Sequence, residues 1–283
     1  MAQSKRYIEI MDTTLRDGEQ TPELAYTPAE KLQIARMLLG EVGVDRIEIA
    51  SARVSKGEAE SARRIIEWAA AKGKDDRVEI LGFCDGGISS SWIRKVCGRT
   101  INLLTKGSEL HCRKQLRKTP DEHFKDVVKN IRSAKKKGLT VNVYLEDWSN
   151  GVRDGFQYVH AFCNVLVDQG VARIMLPDTL GVLTPSEVRR YLDWMISAYP
   201  NVRFDFHSHN DYGLGTANAL VAVECGINGV HTTVNGLGER AGNSSLCEVV
   251  VGIHDKTDCR TRVKEKKVNA IAHVVQAFSG KRL

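Results

Sequence analysis

No stretch of this 283-residue chain approaches the roughly 18 consecutive apolar residues that cross a bilayer, and MAQSKRYIEIMDTT lacks the long apolar segment of a secretory leader. The expectation is a cytoplasmic protein without a membrane partner. No two of the seven cysteines (84, 97, 112, 163, 225, 247 and 259) form a CxxC pair. An odd number in a long chain without secretory signals argues against a disulfide framework, so they read as reduced packing thiols. Charge of one sign does not accumulate either. The net +6 is interspersed with acids apart from short clusters at Lys135–Lys137 and Lys264–Lys267, which argues against nucleic acid and leaves a solvated face or the attraction of an anionic substrate. No linker or low-complexity tract interrupts the chain. The glycine-rich Gly236-Leu-Gly238-Glu-Arg240-Ala-Gly242 is not G-x-G-x-x-G and lies late in the chain, so a dinucleotide fold is not indicated.

What is present is a regular alternation. β-like runs recur about every thirty residues, at 7–13, 46–51, 78–83, 100–106, 140–147, 173–179, 203–209 and 229–236, with helix-like segments between them. Eight strands alternating with helices predict a parallel sheet, and the count and length suit a closed (β/α)₈ TIM barrel, an α/β fold, better than an open sheet. Thr27-Pro-Ala-Glu30, Thr119-Pro-Asp-Glu122 and Thr184-Pro-Ser-Glu187 each supply a Thr N-cap, Pro at the first helical position and Glu at the third. After the first of these, Leu32, Ala35, Leu38 and Leu39 make an apolar stripe for the barrel's outer face.

Side chains alternate along a strand, which sorts inward from outward positions. With Val141, Val143 and Leu145 toward the helices, Asn142, Tyr144 and Glu146 point into the barrel; with Phe204 and Phe206 outward, Asp205, His207 and His209 point inward. Two imidazoles at i and i+2 on one strand face lie close enough to share a metal ion, although an isolated HxH is more often a hydrogen-bonded core pair. Context favours the metal. Asp12-Thr-Thr-Leu-Arg16-Asp17-Gly-Glu-Gln closes the first strand at the same mouth, and Asn243 follows the glycine-rich turn after the last. Asp17, His207, His209 and Asn243 form a mixed N/O set that suits Zn, Mn or Mg without singling one out. A 2-keto acid could chelate such an ion. Arg16 could hydrogen-bond the keto oxygen, or be spent on an ion pair with Glu48 or Asp17. Glu146 is the candidate general base, with Glu48 as its competitor. The Thr179 hydroxyl suits the substrate carboxylate, and the glycine-rich turn could offer backbone N–H groups to an anion.

With those residues in place, the chain resembles the metal-dependent condensing enzymes that include 2-isopropylmalate, homocitrate and citramalate synthases, with the 3-hydroxy-3-methylglutaryl-CoA lyases as relatives. The DTTLRDGEQ, HSHND and NGLGERAGN segments carry the likeness. It implies the barrel, the metal at Asp17, His207, His209 and Asn243, keto-acid binding by Arg16 and Thr179, catalysis by Glu146, and acetyl-CoA near Gly236, Gly238, Arg240 and Gly242. It also implies a homodimer. The lyases carry a cysteine in the glycine loop that GLGERAG lacks, which favours condensation over cleavage. Ile49 to Gly57, Leu103 to Ser108 and Tyr144 to Asn150 are most similar to citramalate synthases, which use pyruvate; isopropylmalate synthases, which use 2-ketoisovalerate, differ in the second-strand loop and after the Glu-Asp pair. Leu81, Leu104 and Tyr144 crowding the substrate methyl would explain a preference for pyruvate, or the two leucines are ordinary core. Residues 1–260 are expected to form the barrel and 261–283 a helical extension toward a regulatory region that the resemblance implies and these residues do not contain. A catalytic acid from beyond the barrel would then be missing too, so a substrate-binding barrel with poor turnover is the alternative of another class.

Overall fold

The computed structural model describes residues 5–52 and 55–280. Arg53 and Val54, in the loop after the second expected strand, lie outside the described residues, as do 1–4 and 281–283. The chain starts with β1 (Arg6–Tyr7) and then enters a closed barrel of eight parallel strands in simple chain order. These are β2 (Glu9–Asp12), β3 (Arg46–Ser51), β4 (Val78–Phe83), β5 (Thr100–Lys106), β6 (Thr140–Glu146), β7 (Arg173–Asp178), β8 (Phe204–Ser208) and β9 (Gly229–Thr232). β9 pairs back onto β2, with Met11 opposite His231. β10 (Cys259–Arg260) pairs with β1 in a separate two-stranded sheet.

Five expected strands are corrected at their ends, two of them by a single residue: 140–147 stops at Glu146 and 173–179 at Asp178. The run 7–13 splits because the backbone changes partner: Ile8 N–H donates to Arg260 O and Glu9 N–H to Asn228 O. The run 203–209 stops at Ser208, and His209 sits in an isolated antiparallel bridge with Asn243. The run 229–236 stops at Thr232 and becomes a 3₁₀ turn, Val234–Gly236, in which Asn235 takes the left-handed conformation. In the last two cases the strand gives way to a loop at the barrel's C-terminal face, where (β/α)₈ enzymes carry their chemistry.

The helices are α1 (Pro28–Arg36), α2 (Lys56–Ala70), α3 (Ile88–Lys95), α4 (Glu109–Lys114), α5 (Pro120–Lys136), α6 (Trp148–Arg153), α7 (Phe156–Asp168), α8 (Pro185–Ala198), α9 (Gly215–Cys225), α10 (Leu246–Lys256) and α11 (Glu265–Ser279). α1, α5 and α8 each begin with the reciprocal capping box read from Thr27, Thr119 and Thr184. α1 runs on into a π-helical turn at Met37–Val42, which buries Leu38 and Leu39. Against that turn and α1 packs α11, burying Val268, Ile271 and Val275. Among the described residues no helix is long and apolar enough to cross a membrane.

Two apolar clusters divide the core. The larger lies between sheet and helices and takes Val141, Val143, Leu145, Phe204 and Phe206, as the strand parity requires. The smaller lies within the barrel: Met11, Leu81, Tyr144 and Met175, with Leu104 packed on them. Beneath it sits a layer of charge. Arg46 pairs with Glu9 at 3.3 Å, Glu79 at 3.0 Å and Asp205, and Arg173 pairs with Glu9 at 2.5 Å and Asp205 at 3.0 Å. Buried ions persist only when paired in this way.

Candidate metal and substrate site

The loop after β2 folds tightly on itself: the N–H groups of Arg16, Asp17 and Gly18 all donate to Thr13 O, at 3.0, 2.8 and 3.1 Å. That turn carries Arg16 and Asp17 over the barrel mouth. Thr14 Oγ1 accepts the Val234 N–H at 2.8 Å and ties the loop to the segment after β9. Asp12, at the end of β2, is buried and accepts the Thr14 N–H at 2.9 Å, and burial pushes its carboxyl up to about 7.

Asp17, His207 and His209 are all buried and offer ligand atoms within 4.8 Å of one another. The two Nε2 atoms stand 3.4 Å apart, and Asp17 Oδ2 lies 3.3 Å from that of His207. Burial and the neighbouring His207 lower the His209 pKa to about 4, so its imidazole keeps a lone pair to offer at neutral pH. Burial opposes ionisation of Asp17, yet Arg16 and His207 hold its carboxyl well below the usual range. Asn243 Nδ2 donates to Leu237 O at 2.9 Å and reaches Asp17 Oδ1 at 3.3 Å. Its Oδ1 is buried without a donor among the described residues. An orphaned acceptor beside a carboxylate and two imidazoles fits a fourth ligand to a divalent cation.

Glycines make that placement of Asn243 possible. A Cβ on Gly238 would stand 2.2 Å from Asn243 Nδ2, and one on Gly242, whose φ is +83°, would stand 2.0 Å from Gly236 O. Arg240 in the same turn is held by Asp211 at 2.6 and 3.0 Å, by Glu239 at 2.6 Å and by Thr179 O at 2.8 Å. Of this turn, only Glu239 lines the cavity described next.

That cavity, about 260 Å³, is lined by Arg16, Asp17, Leu81, Leu104, Tyr144, Glu146, Thr179, His207 and His209, which sequence reasoning had singled out one by one. The ion-pair alternative for Arg16 is realised with both partners. Its Nε donates to Glu48 and its Nη1 to Asp17 at 2.9 Å, while among the described residues Nη2 has a long 3.5 Å contact to the Tyr144 hydroxyl. Glu48 is fully buried, its other oxygen accepts from Asn102 Nδ2 at 2.7 Å, and Asn102 in turn accepts from Asn142 at 2.9 Å. Both Glu48 oxygens are therefore engaged below the cavity, and Glu48 anchors Arg16. Glu146 does line the cavity, paired with Lys106 at 2.5 Å. Thr179 Oγ1 accepts the Asp147 N–H at 2.8 Å, which leaves its own O–H to donate.

Lys106, Gln20, Phe83 and His231 were not foreseen in the sequence. Lys106 had a usable signal, since it follows Asn102 and Leu104 at the inward period of two. Its backbone is clamped: His123 Nε2 accepts its N–H at 3.4 Å and Tyr158 donates to its C=O at 3.0 Å.

A family model described as HMGL-like matches residues 7–275. The chain belongs to the HMGL-like family. Among curated members, it is 36% identical over 281 residues to 2-isopropylmalate synthase of Saccharolobus solfataricus, covering 96% of this chain and 69% of that one. It is likewise 36% identical over 269 residues to (R)-citramalate synthase of Methanocaldococcus jannaschii, covering 95% and 52%. The chain spans about half to two-thirds of the length of the curated relatives it matches. Among solved structures, an HMG-CoA lyase from Acinetobacter baumannii in complex with coenzyme A and 3-methylmalate superposes with a TM-score of 0.81, covering 99% of this chain and 93% of that one. At 20% identity, that likeness carries the family's fold.

Proposed function

We propose that this barrel condenses acetyl-CoA with a small 2-keto acid in a metal-assisted Claisen reaction, pyruvate being the keto acid and citramalate the product. The observation that carries the reading is the division of one cavity into a polar side (Arg16, Asp17, His207, His209), an apolar side (Leu81, Leu104, Tyr144) and a carboxylate at Glu146. A divalent cation (Zn, Mn or Mg) held by Asp17, His207, His209 and Asn243 would supply Lewis-acid polarisation of the keto group. Arg16 directs Nη2 at the keto oxygen and stabilises the negative charge that develops there. The Thr179 hydroxyl donates to the substrate carboxylate. Glu146 takes a proton from the acetyl methyl group, and the enolate carbon forms the new bond to the keto carbon as the C=O π bond opens to an alkoxide. The alkoxide takes a proton from solvent while Glu146 gives its own up, and water then cleaves the thioester to release the thiol. The names of the curated relatives and the coenzyme A bound by the solved lyase support an acyl-CoA as co-substrate, approaching over the Gly236, Gly238, Arg240 and Gly242 turn.

A relative named 2-isopropylmalate synthase favours a second reading, with 2-ketoisovalerate as substrate. The two differ by a branched side chain, and an apolar pocket filled by Leu81, Leu104 and Tyr144 rejects added carbon by overpacking. A thiol-release assay with acetyl-CoA against pyruvate, 2-ketoisovalerate, 2-oxoglutarate and oxaloacetate decides between them. The expected result is fastest turnover with pyruvate; faster turnover with 2-ketoisovalerate would establish the second reading, and no thiol release with any of them would reduce the chain to a substrate-binding barrel. Enzyme stripped of metal by a chelator loses activity and regains it on adding Zn, Mn or Mg. Full activity without residual metal would refute the metal's role.

A further inference from the structure

His231 lies on β9 below the cavity, is 1% exposed, and is absent from the cavity lining. Its Nδ1 stands 3.1 Å from the Tyr144 hydroxyl and its Nε2 stands 3.4 Å from Asp205 Oδ2. The tautomer follows from the partners. Against the desolvation of full burial, Arg46 and Arg173 hold the Asp205 carboxyl far below the usual range, so it can only accept, and Nε2 carries the proton. Nδ1 is then an acceptor, and the Tyr144 O–H donates to it. The Tyr144 ring is packed against Met11, Leu81 and Met175, so its apolar body and its hydroxyl are both fixed. Without His231 the hydroxyl would keep only its long contact with Arg16, and a buried phenol lacking a good partner is driven to move.

The geometry points to His231 as a specificity-determining positioning residue: by holding the Tyr144 hydroxyl it keeps the ring against the substrate side chain and sets the largest keto acid the cavity accepts. It acts through Tyr144 and touches no substrate. The size limit thus originates in the charged layer at the bottom of the barrel, running from Arg46 and Arg173 through Asp205 and His231 to the cavity wall. The inference rests on the keto-acid reading of the cavity, and its test separates the two.

His231→Phe removes both hydrogen bonds with a ring of similar size, whereas His231→Asn keeps an acceptor near the Nδ1 position. The readout is kcat/KM for pyruvate divided by that for 2-ketobutyrate, one methylene longer, with acetyl-CoA saturating. H231F lowers this ratio roughly tenfold, mostly through KM, and H231N restores most of it. In a Tyr144→Phe background, H231F has no further effect on the ratio. An unchanged ratio in H231F overturns the inference, as does an equal loss in the Tyr144→Phe background, which would mean that His231 acts on another group. Should H231F not fold, His231→Gln replaces it, since its amide reaches the Nε2 position and leaves Tyr144 without an acceptor. A wild-type chain that condenses no keto acid sinks the parent reading alone. The crystal structure of H231F then decides this one: a Tyr144 hydroxyl displaced by about 1 Å or more supports it and an unmoved hydroxyl overturns it.

Discussion

Glu48 and Glu146 are both inward carboxylates near strand ends, and their surroundings give them different tasks. Burial pushes the Glu48 pKa up while Arg16 pulls it back, and both oxygens are occupied by Arg16 and Asn102. Glu146 faces the cavity with Lys106 beside it. Glu146→Gln is therefore expected to lower kcat by about 10² to 10⁴ while leaving keto-acid binding by calorimetry intact. Glu48→Gln takes a charge partner from Arg16 and is expected to lower kcat/KM for the keto acid by about 10², mainly through KM, because the guanidinium loses its aim. Steady-state kinetics of the two variants would reverse the assignment if Glu48→Gln abolished kcat at constant KM. The sequence could rank these two acids only by strand position. Which of them has a free edge toward the cavity depends on Asn102, two strands from Glu48, and no local pattern records that.

At the scale of elements, the capping boxes were legible because all of their chemistry sits within four residues. Thr119→Ala removes the acceptor for the Glu122 N–H at the start of α5, and Thr119 does not line the cavity. It should cost about 1 kcal/mol and lower the melting temperature by roughly 2–4 °C with activity unchanged. Calorimetry with a parallel assay checks both halves of that statement. Strand ends were less legible, since a period of two does not reveal where pairing stops. His209 kept its inward direction although its strand had ended, because its bridge to Asn243 replaces the ladder. The same bridge explains the glycines of the turn, which sequence reasoning connected to an anion and which here clear space around the Asn243 amide. Gly238→Ala should therefore weaken binding of Zn or Mn by about 10- to 100-fold in a titration, with the fold retained by circular dichroism. Unaltered metal affinity would count against Asn243 as a ligand.

For the whole molecule, the alternation of strand and helix was enough to foresee a closed barrel, because short connections and parallel strands leave few other arrangements. The ionic layer inside it was not foreseen, since Glu9, Arg46, Glu79, Arg173 and Asp205 come from five strands. Burial of histidine adds a pH dependence of stability. His123 accepts the Lys106 N–H through Nε2 and so must be neutral; burial, helped by Lys118, lowers its pKa to about 4. The unfolded chain takes up that proton near pH 6.5, so between about 6.5 and 4 the unfolded state binds more protons and stability falls as pH falls. His123 alone accounts for on the order of 3 kcal/mol across this window, and His209 and His231, lowered to about 4 and about 3, add to it. Denaturant unfolding from pH 7.5 to 4.5 should show the decline, and His123→Phe should flatten it. An equally steep decline in that variant would assign the effect elsewhere.

The barrel closes where β9 pairs with β2, and the proposed metal ligands straddle that seam: Asp17 follows β2, while Asn243 follows β9. During synthesis Asp17 leaves the ribosome more than two hundred residues ahead of Asn243, so the complete ligand set forms only when the ring is shut. An ion held by all four would act as a clasp across that joint, and its loading would report that the circle of strands is complete.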